Sequence, residues 1–253
     1  MRLPMVVGVD GSEPSLRAVD WAADEAALRG VPLRVVYASL WEHYEGTSIA
    51  EGLAKPDEQV LAEDIVDTAA RRARLRRPEL DVRTEVLTEE PEYAQCPMVV
   101  VRGTHDKQAQ AGTYGRIVVG VGEKPAGSAA VRFAFDEARR RGVPVEAVRA
   151  WRWPAREATD DALTAGEPAR LHEQLAVEAL DAAFQDVPAD VASHRRTVEG
   201  PTRSVLVDAS RDADLLVVGA RRRPGHFGLQ LGRVAHGVLH HSVCPVAIVP
   251  EKG

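Results

Sequence analysis

The sequence repeats itself, and this limits the folds open to the chain more than any other feature. Residues 6–12 read VVGVDGS and residues 118–124 read VVGVGEK, an offset of 112. The offset persists from Ala18–Ala26 against Ala130–Ala138, and from Arg29-Gly30-Val31-Pro32 against Arg141-Gly142-Val143-Pro144. Val86 still faces Val198. Further on, Cys96-Pro97-Met98-Val99-Val100-Val101 matches Cys244-Pro245-Val246-Ala247-Ile248-Val249 at an offset of 148. The first half is therefore 36 residues shorter than the second, with the gap between about Pro91 and Tyr93. The halves run 1–103 and 116–253. The polar, glycine-containing stretch 104–115 between them reads as a linker.

Each half alternates short β-branched runs with longer amphipathic stretches, the signature of a parallel α/β sheet. In the second half strands are expected near 116–121, 145–150, 193–198, 214–218 and 245–249. Helices are expected near 126–141, 168–185, 202–211 and 229–240. Leu215–Val218 and Val246–Val249 are continuously apolar, as strands covered on both faces should be. The first half predicts strands near 5–9, 33–38, 82–87 and 97–101 and helices near 14–28 and 57–76. Gly30 and Gly142 fit left-handed helix ends, each followed two residues later by a proline. The counterpart of the fourth strand and both its flanking helices are missing from the first half. Only about nine residues join strands 82–87 and 97–101, fewer than a parallel crossover needs.

The net charge of −6 argues against nucleic acid as a partner. No apolar run approaches a membrane span, and the N-terminus lacks a signal-peptide pattern, so the expected location is cytoplasmic. Cys96 and Cys244 are too few for a disulfide scaffold and are expected as small buried hydrophobes. The basic run Arg71-Arg72-Ala73-Arg74 reads as a solvated helix end. His236 and His240 lie four apart on an expected helix, but no third ligand is near in sequence, so no metal is assigned. Ser12 has no evident histidine partner, and nucleophilic catalysis gets no support.

Two places could carry a ligand. Asp10 ends the first strand, where a carboxylate could meet a ribose, a base or a metal-bound phosphate, or could serve the turn into the helix that Ser12 begins. In the second half, residues 219–234 follow an apolar strand and enter a helix, with glycines and three consecutive arginines that suit an anion. A solvated loop is the other reading of that stretch.

The VVGVDGS opening, Gly219, the glycine-rich loop and the CPVAIVP ending resemble the universal stress protein family, nearly end to end and twice over. The resemblance implies a tandem protein of open parallel α/β sheets, of the adenine nucleotide alpha hydrolase-like type, with a truncated first repeat. Some family members bind ATP, with an acidic residue after the first strand and a loop Gly-x2-Gly-x9-Gly-Ser/Thr after the fourth. By that pattern the candidate nucleotide residues are Asp10, Gly219, Arg222, Gly232, Arg233 and Val234. Gly219 and Gly232 match, but Arg222 stands for the second glycine, Arg233 for Ser/Thr, and Gly122 for the acidic residue. Asp10 matches in the first half, whose loop is missing. The reading that follows is a non-catalytic protein of the stress response with a degenerate nucleotide site, acting through binding or assembly and needing no cofactor. The alternative is an ATP-binding member with weak ATPase activity. The family's contact through its last strand implies a homodimer, or an intramolecular pseudo-dimer, through 97–101 and 245–249.

Overall fold

A computed structural model describes residues 3–38, 55–87, 96–101, 114–122, 128–152, 166–185, 187–221 and 231–251. The chain divides into two compact units. No helix among the described residues is long and apolar enough to cross a membrane.

The first unit holds β1 (Met5–Gly8), α1 (Glu13–Arg29), β2 (Leu33–Ala38), α2 (Lys55–Arg76) and β3 (Val82–Leu87). The strands are parallel in the order β1-β2-β3. Two right-handed crossovers in one direction put α1 and α2 on the same face of this sheet. There Val7, Leu33, Val35 and Val82 are buried against Val19, Ala22, Val66 and Ala69. The opposite face reads differently. Val6 is 57% exposed, and Arg34 pairs with Glu85 across the strands at 3.1 Å. A parallel sheet is normally covered on both sides; among the described residues only one side of this sheet carries helices, and on the other Val36 of β2 is buried beside the exposed Arg34.

The helices α1 and α2 are held by guanidinium–carboxylate forks. Arg72 donates to both oxygens of Asp20, at 2.9 and 2.6 Å, and Arg76 and Arg77 share Asp24. The expectation of a solvated basic helix end holds for the exposed Arg71 and Arg74 and is corrected for Arg72. Arg72 is 34% exposed because it faces α1, and such forks fix two helices geometrically.

The second unit holds β4 (Met98–Val100), β5 (Ile117–Gly120), α3 (Ala129–Arg141), β6 (Val145–Trp151), α4 (Gly166–Ala183), β7 (Ser193–Glu199), α5 (Thr202–Ala209), β8 (Leu215–Arg221), α6 (Arg233–His241) and β9 (Val246–Glu251). A short 3-10 turn, Ser210–Asp212, follows α5. The strand order is β4-β9-β8-β5-β6-β7. The five strands β5–β9 are parallel, and β4 joins antiparallel to β9, with Met98 opposite Ile248 and Val100 opposite Val246. The order in which strands are added reverses after β7, from β5-β6-β7 on one side to β8-β9 on the other, so α3 and α4 cover one face and α5 and α6 the other. The central strands are correspondingly apolar throughout: Ile117–Val119 and Leu215–Val218 are all buried.

Most expected elements lie within a few residues of their places. The expected linker 104–115 lies outside the described residues except at its end. There the Asp214 carboxylate accepts from the backbone N–H groups of Tyr114 and Gly115 and fixes the entry to β5. Gly30 and Gly142 adopt the left-handed conformation, with φ of 61° and 67°, and close α1 and α3.

The repeat register extends to a buried ion pair. Glu25 with Arg29, and Glu137 with Arg141, occupy matching places on α1 and α3. Glu137 is 1% exposed and Arg141 9%. Removing one partner of a buried pair strands the other's charge, so Glu137→Ala should lower unfolding stability by about 3–5 kcal/mol. Chemical denaturation of the variant against wild type measures this, and a loss below about 1 kcal/mol would show the pair to be energetically idle.

Candidate functional site

Ligands of open parallel sheets sit outside the carboxyl ends of the strands, where the strand order reverses. In the second unit that place lies between β5 and β8. Four pieces of backbone frame it: Gly120-Val121-Gly122 ending β5, Ser128 opening α3, Gly219 within β8, and Gly232 opening α6. The first unit has no such crevice among its described residues, because β1 is an edge strand of its three-stranded sheet.

Asp10 consequently has local work. Its Oδ1 accepts from the Ser12 N–H at 2.9 Å, and its own N–H donates to Ser15 Oγ. Ser12 caps α1 by accepting from the Ser15 N–H. The Ser12 hydroxyl and N–H, and then Ser15, hold the exposed Asp10 carboxyl below the usual carboxylate range. Of the two readings the sequence leaves open, the geometry realises the turn.

The second-unit crevice contains a carboxylate that the sequence reading missed. Glu251, the last residue of β9, reaches the N-terminus of α3. Its Oε1 accepts from the Ser128 hydroxyl at 2.6 Å and from the Ala130 N–H at 3.1 Å, and its Oε2 accepts from the Ala129 N–H at 2.8 Å. The side chain passes directly over Gly219. A Cβ there would lie 2.8 Å from Glu251 Oε1 and 2.9 Å from its Cγ. Gly219 thus admits a carboxylate of the chain itself. The α3 N-terminus has positive potential and unpaired N–H groups that an anion would otherwise seek, and Glu251 supplies that anion.

The other candidates surround this core. Gly232 is the N-cap of α6, with no side chain capping it, and Arg233 and Val234 are exposed in its first turn. Gly122 stands where an acidic residue would be, and a Cβ there would meet nothing within 4 Å. Arg222 lies outside the described residues. Gly219 and Gly232 therefore both belong to the crevice of the second unit, and Asp10 does not. Among the described residues no group of three or more metal-ligating side chains occurs.

Comparison with known proteins agrees with this architecture. The universal stress protein family model matches residues 1–101 and 113–250. The chain belongs to the universal stress protein family. It is 28% identical to universal stress protein Rv2005c of Mycobacterium tuberculosis strain H37Rv, covering 98% of this chain and 97% of the relative. A universal stress protein of Mycolicibacterium smegmatis is also 28% identical, over 98% and 97%. The fold is that of a crystallised universal stress protein from Archaeoglobus fulgidus, at a TM-score of 0.61, 14% identity and 98% coverage of both chains.

The two cysteines differ although the repeat aligns them. Cys244 is buried among Val205, Leu216 and Val238, and burial pushes its thiol up to about 12. Cys96 is exposed, which corrects the expectation of two buried residues. Cys244 enters a strand with neighbours on both edges, whereas Cys96 precedes a strand at the rim of the sheet.

Glu251 and Ser128 could have been suspected from one signal: an acidic residue closing an otherwise apolar last strand, at the end of the sheet where helices start. Two outcomes follow from these environments. A thiol reagent applied to native protein should label Cys96 and leave Cys244 unmodified until unfolding, as mass spectrometry of the tryptic peptides would read. A depressed folded pKa stabilises above the unfolded value and ceases to do so as pH falls through the folded one. Asp10→Ala should therefore be less stable than wild type at neutral pH, with the difference closing below about pH 4. Urea melts across that range test the sign.

Proposed function

We propose that this protein is a non-catalytic universal stress protein whose nucleotide crevice is occupied by its own Glu251, and that it acts in the stress response through binding or assembly. The observation that carries this reading is the Glu251 carboxylate on Ser128, Ala129 and Ala130, against Gly219. A nucleotide would bring phosphate oxygens and a ribose to a place already holding a negative charge and its three donors. Arg233 in place of Ser/Thr and Gly122 in place of an acidic residue support the same reading. Asp10 supports it too, since its carboxylate is committed to the α1 turn. The protein needs no cofactor on this account.

The first repeat, 1–103, is on this reading a truncated copy of the complete repeat 116–253, joined by 104–115. Three features support it. The family model matches the chain twice. The first sheet has three strands against the second unit's five parallel ones. The alignment with Rv2005c spans 293 positions, more than the 253 residues of this chain can fill. The pairing of 97–101 with 245–249 forms within one chain, which favours self-contained assembly over a homodimer through that edge. The proposed location is the cytoplasm.

Calorimetric titration with magnesium–ATP tests the proposal. Wild type should form no low-micromolar complex. The triple change Gly122→Asp, Arg222→Gly and Arg233→Ser should gain little while Glu251 remains, and adding Glu251→Ala should produce measurable one-to-one binding. Tight ATP binding by wild type that Arg203→Ala leaves unchanged would establish the ATP-binding alternative instead. A folded quadruple variant that still fails to bind would show that Glu251 is not what closes the crevice.

A further inference from the structure

The second unit carries a second polar feature along α6, which shares Arg233 with the rim of the crevice and extends away from it. An open groove of about 690 Å³ runs along α6 beside α5. Its charged and polar lining consists of Arg203 from α5 and Arg233, His236, His240 and His241 from α6. Among its described lining residues there is no carboxylate, in a chain whose net charge is −6. None of Gly120, Gly122, Gly219 or Glu251 borders it.

The groove is built by close packing. Gly237, in the middle of α6, is where Arg203 crosses: a Cβ at Gly237 would lie 2.4 Å from Arg203 Cδ and 2.7 Å from its Cγ. A glycine inside a helix costs about 1 kcal/mol relative to alanine. Here it lets the arginine stem lie flat on the helix, so the guanidinium joins the histidine row. The rings of His236 and His240 are tilted by 49° with centroids 4.4 Å apart, and those of His240 and His241 lie 6.5 Å apart. The carboxylates on the elements packed against α6 are engaged elsewhere. Asp208 of α5 pairs with Arg211, and Glu251 of β9 caps α3.

Guanidinium groups bind phosphate oxygens in two-pronged fashion, and an imidazole donates an N–H in either protonation state. The donors extend from Arg233 to His241, about 12 Å of helix at 1.5 Å per residue. A single phosphate is too short to reach both ends, and a chain of linked phosphates offers oxygens along the whole row. The net negative charge of the protein opposes long polyanions. Leu231 is the one apolar side chain among the groove's described lining residues. We infer that the α5–α6 groove binds a short chain of linked phosphates, free or carried on a small molecule, through Arg203, Arg233, His236, His240 and His241.

Calorimetry with the full-length chain and inorganic tripolyphosphate tests this, with orthophosphate, ATP and tetraglutamate as comparison ligands. Tripolyphosphate should bind saturably, one to one. Arg203→Ala and His240→Ala, both at exposed positions, should each weaken binding roughly tenfold, consistent with loss of a charge-assisted contact. Arg83→Ala, at an exposed arginine of the first unit, should leave it unchanged. Equal binding of ATP and tripolyphosphate, both weakened by Arg203→Ala, supports recognition of the phosphate chain whatever carries it. The inference is overturned if wild type shows no saturable binding, or if both groove variants keep wild-type affinity and wild-type thermal transitions. It is also overturned if ATP binds and tripolyphosphate does not, or if orthophosphate or tetraglutamate binds as tightly.

Discussion

Strand β9 is the element on which both the second sheet and its crevice depend. Its backbone is paired on both edges, in parallel to β8 and antiparallel to β4, so its hydrogen-bonding groups find partners within one chain. Its side chains Val246–Val249 are buried between helix layers. Its last residue then leaves the sheet as a carboxylate and caps α3. A parallel strand buried on both faces must be apolar along its length, and the first polar position after it falls at the end of the sheet where a ligand would sit. The constraint that makes β9 a good core strand also delivers Glu251 to the crevice.

Two ways of satisfying a helix N-terminus recur in the molecule. At α1 the chain uses its own turn: Asp10 and Ser12 bind N–H groups within a few residues. At α3 a local serine is joined by a carboxylate from 123 residues away. Both supply negative charge where the helix dipole favours it, but only the second brings it from a strand end far along the chain. At α6 no side chain caps the N-terminus, and the basic groove lies along the same helix.

The two units also differ in packing. Among the described residues α1 and α2 lie on one side of the first sheet, and on the other side Arg34 and Glu85 pair and Val6 is exposed. The second sheet has helices on both faces and places buried apolar residues on both sides of its central strands. The buried Glu25–Arg29 and Glu137–Arg141 pairs persist through this divergence. They lie on the first helix of each unit, α1 and α3.

The sequence by itself determined the repeat, the parallel α/β class, the positions of most strands and helices, and the glycine ends at Gly30 and Gly142. Each of these is written in contacts between near neighbours: side-chain periodicity, a left-handed glycine, a proline that blocks continuation. It also singled out Gly219 and Gly232, because their spacing is a local pattern. Only the tertiary structure decided what fills that crevice, since Glu251 and Ser128 meet through a strand order that periodicity does not encode. For the same reason it decided that β4 pairs with β9 of its own chain, that Arg72 grips Asp20, and that Cys96 is exposed while Cys244 is buried. Strand order and layer assignment arise from global packing. The partners of a side chain far away in sequence, or its exposure, become defined only when that packing is complete.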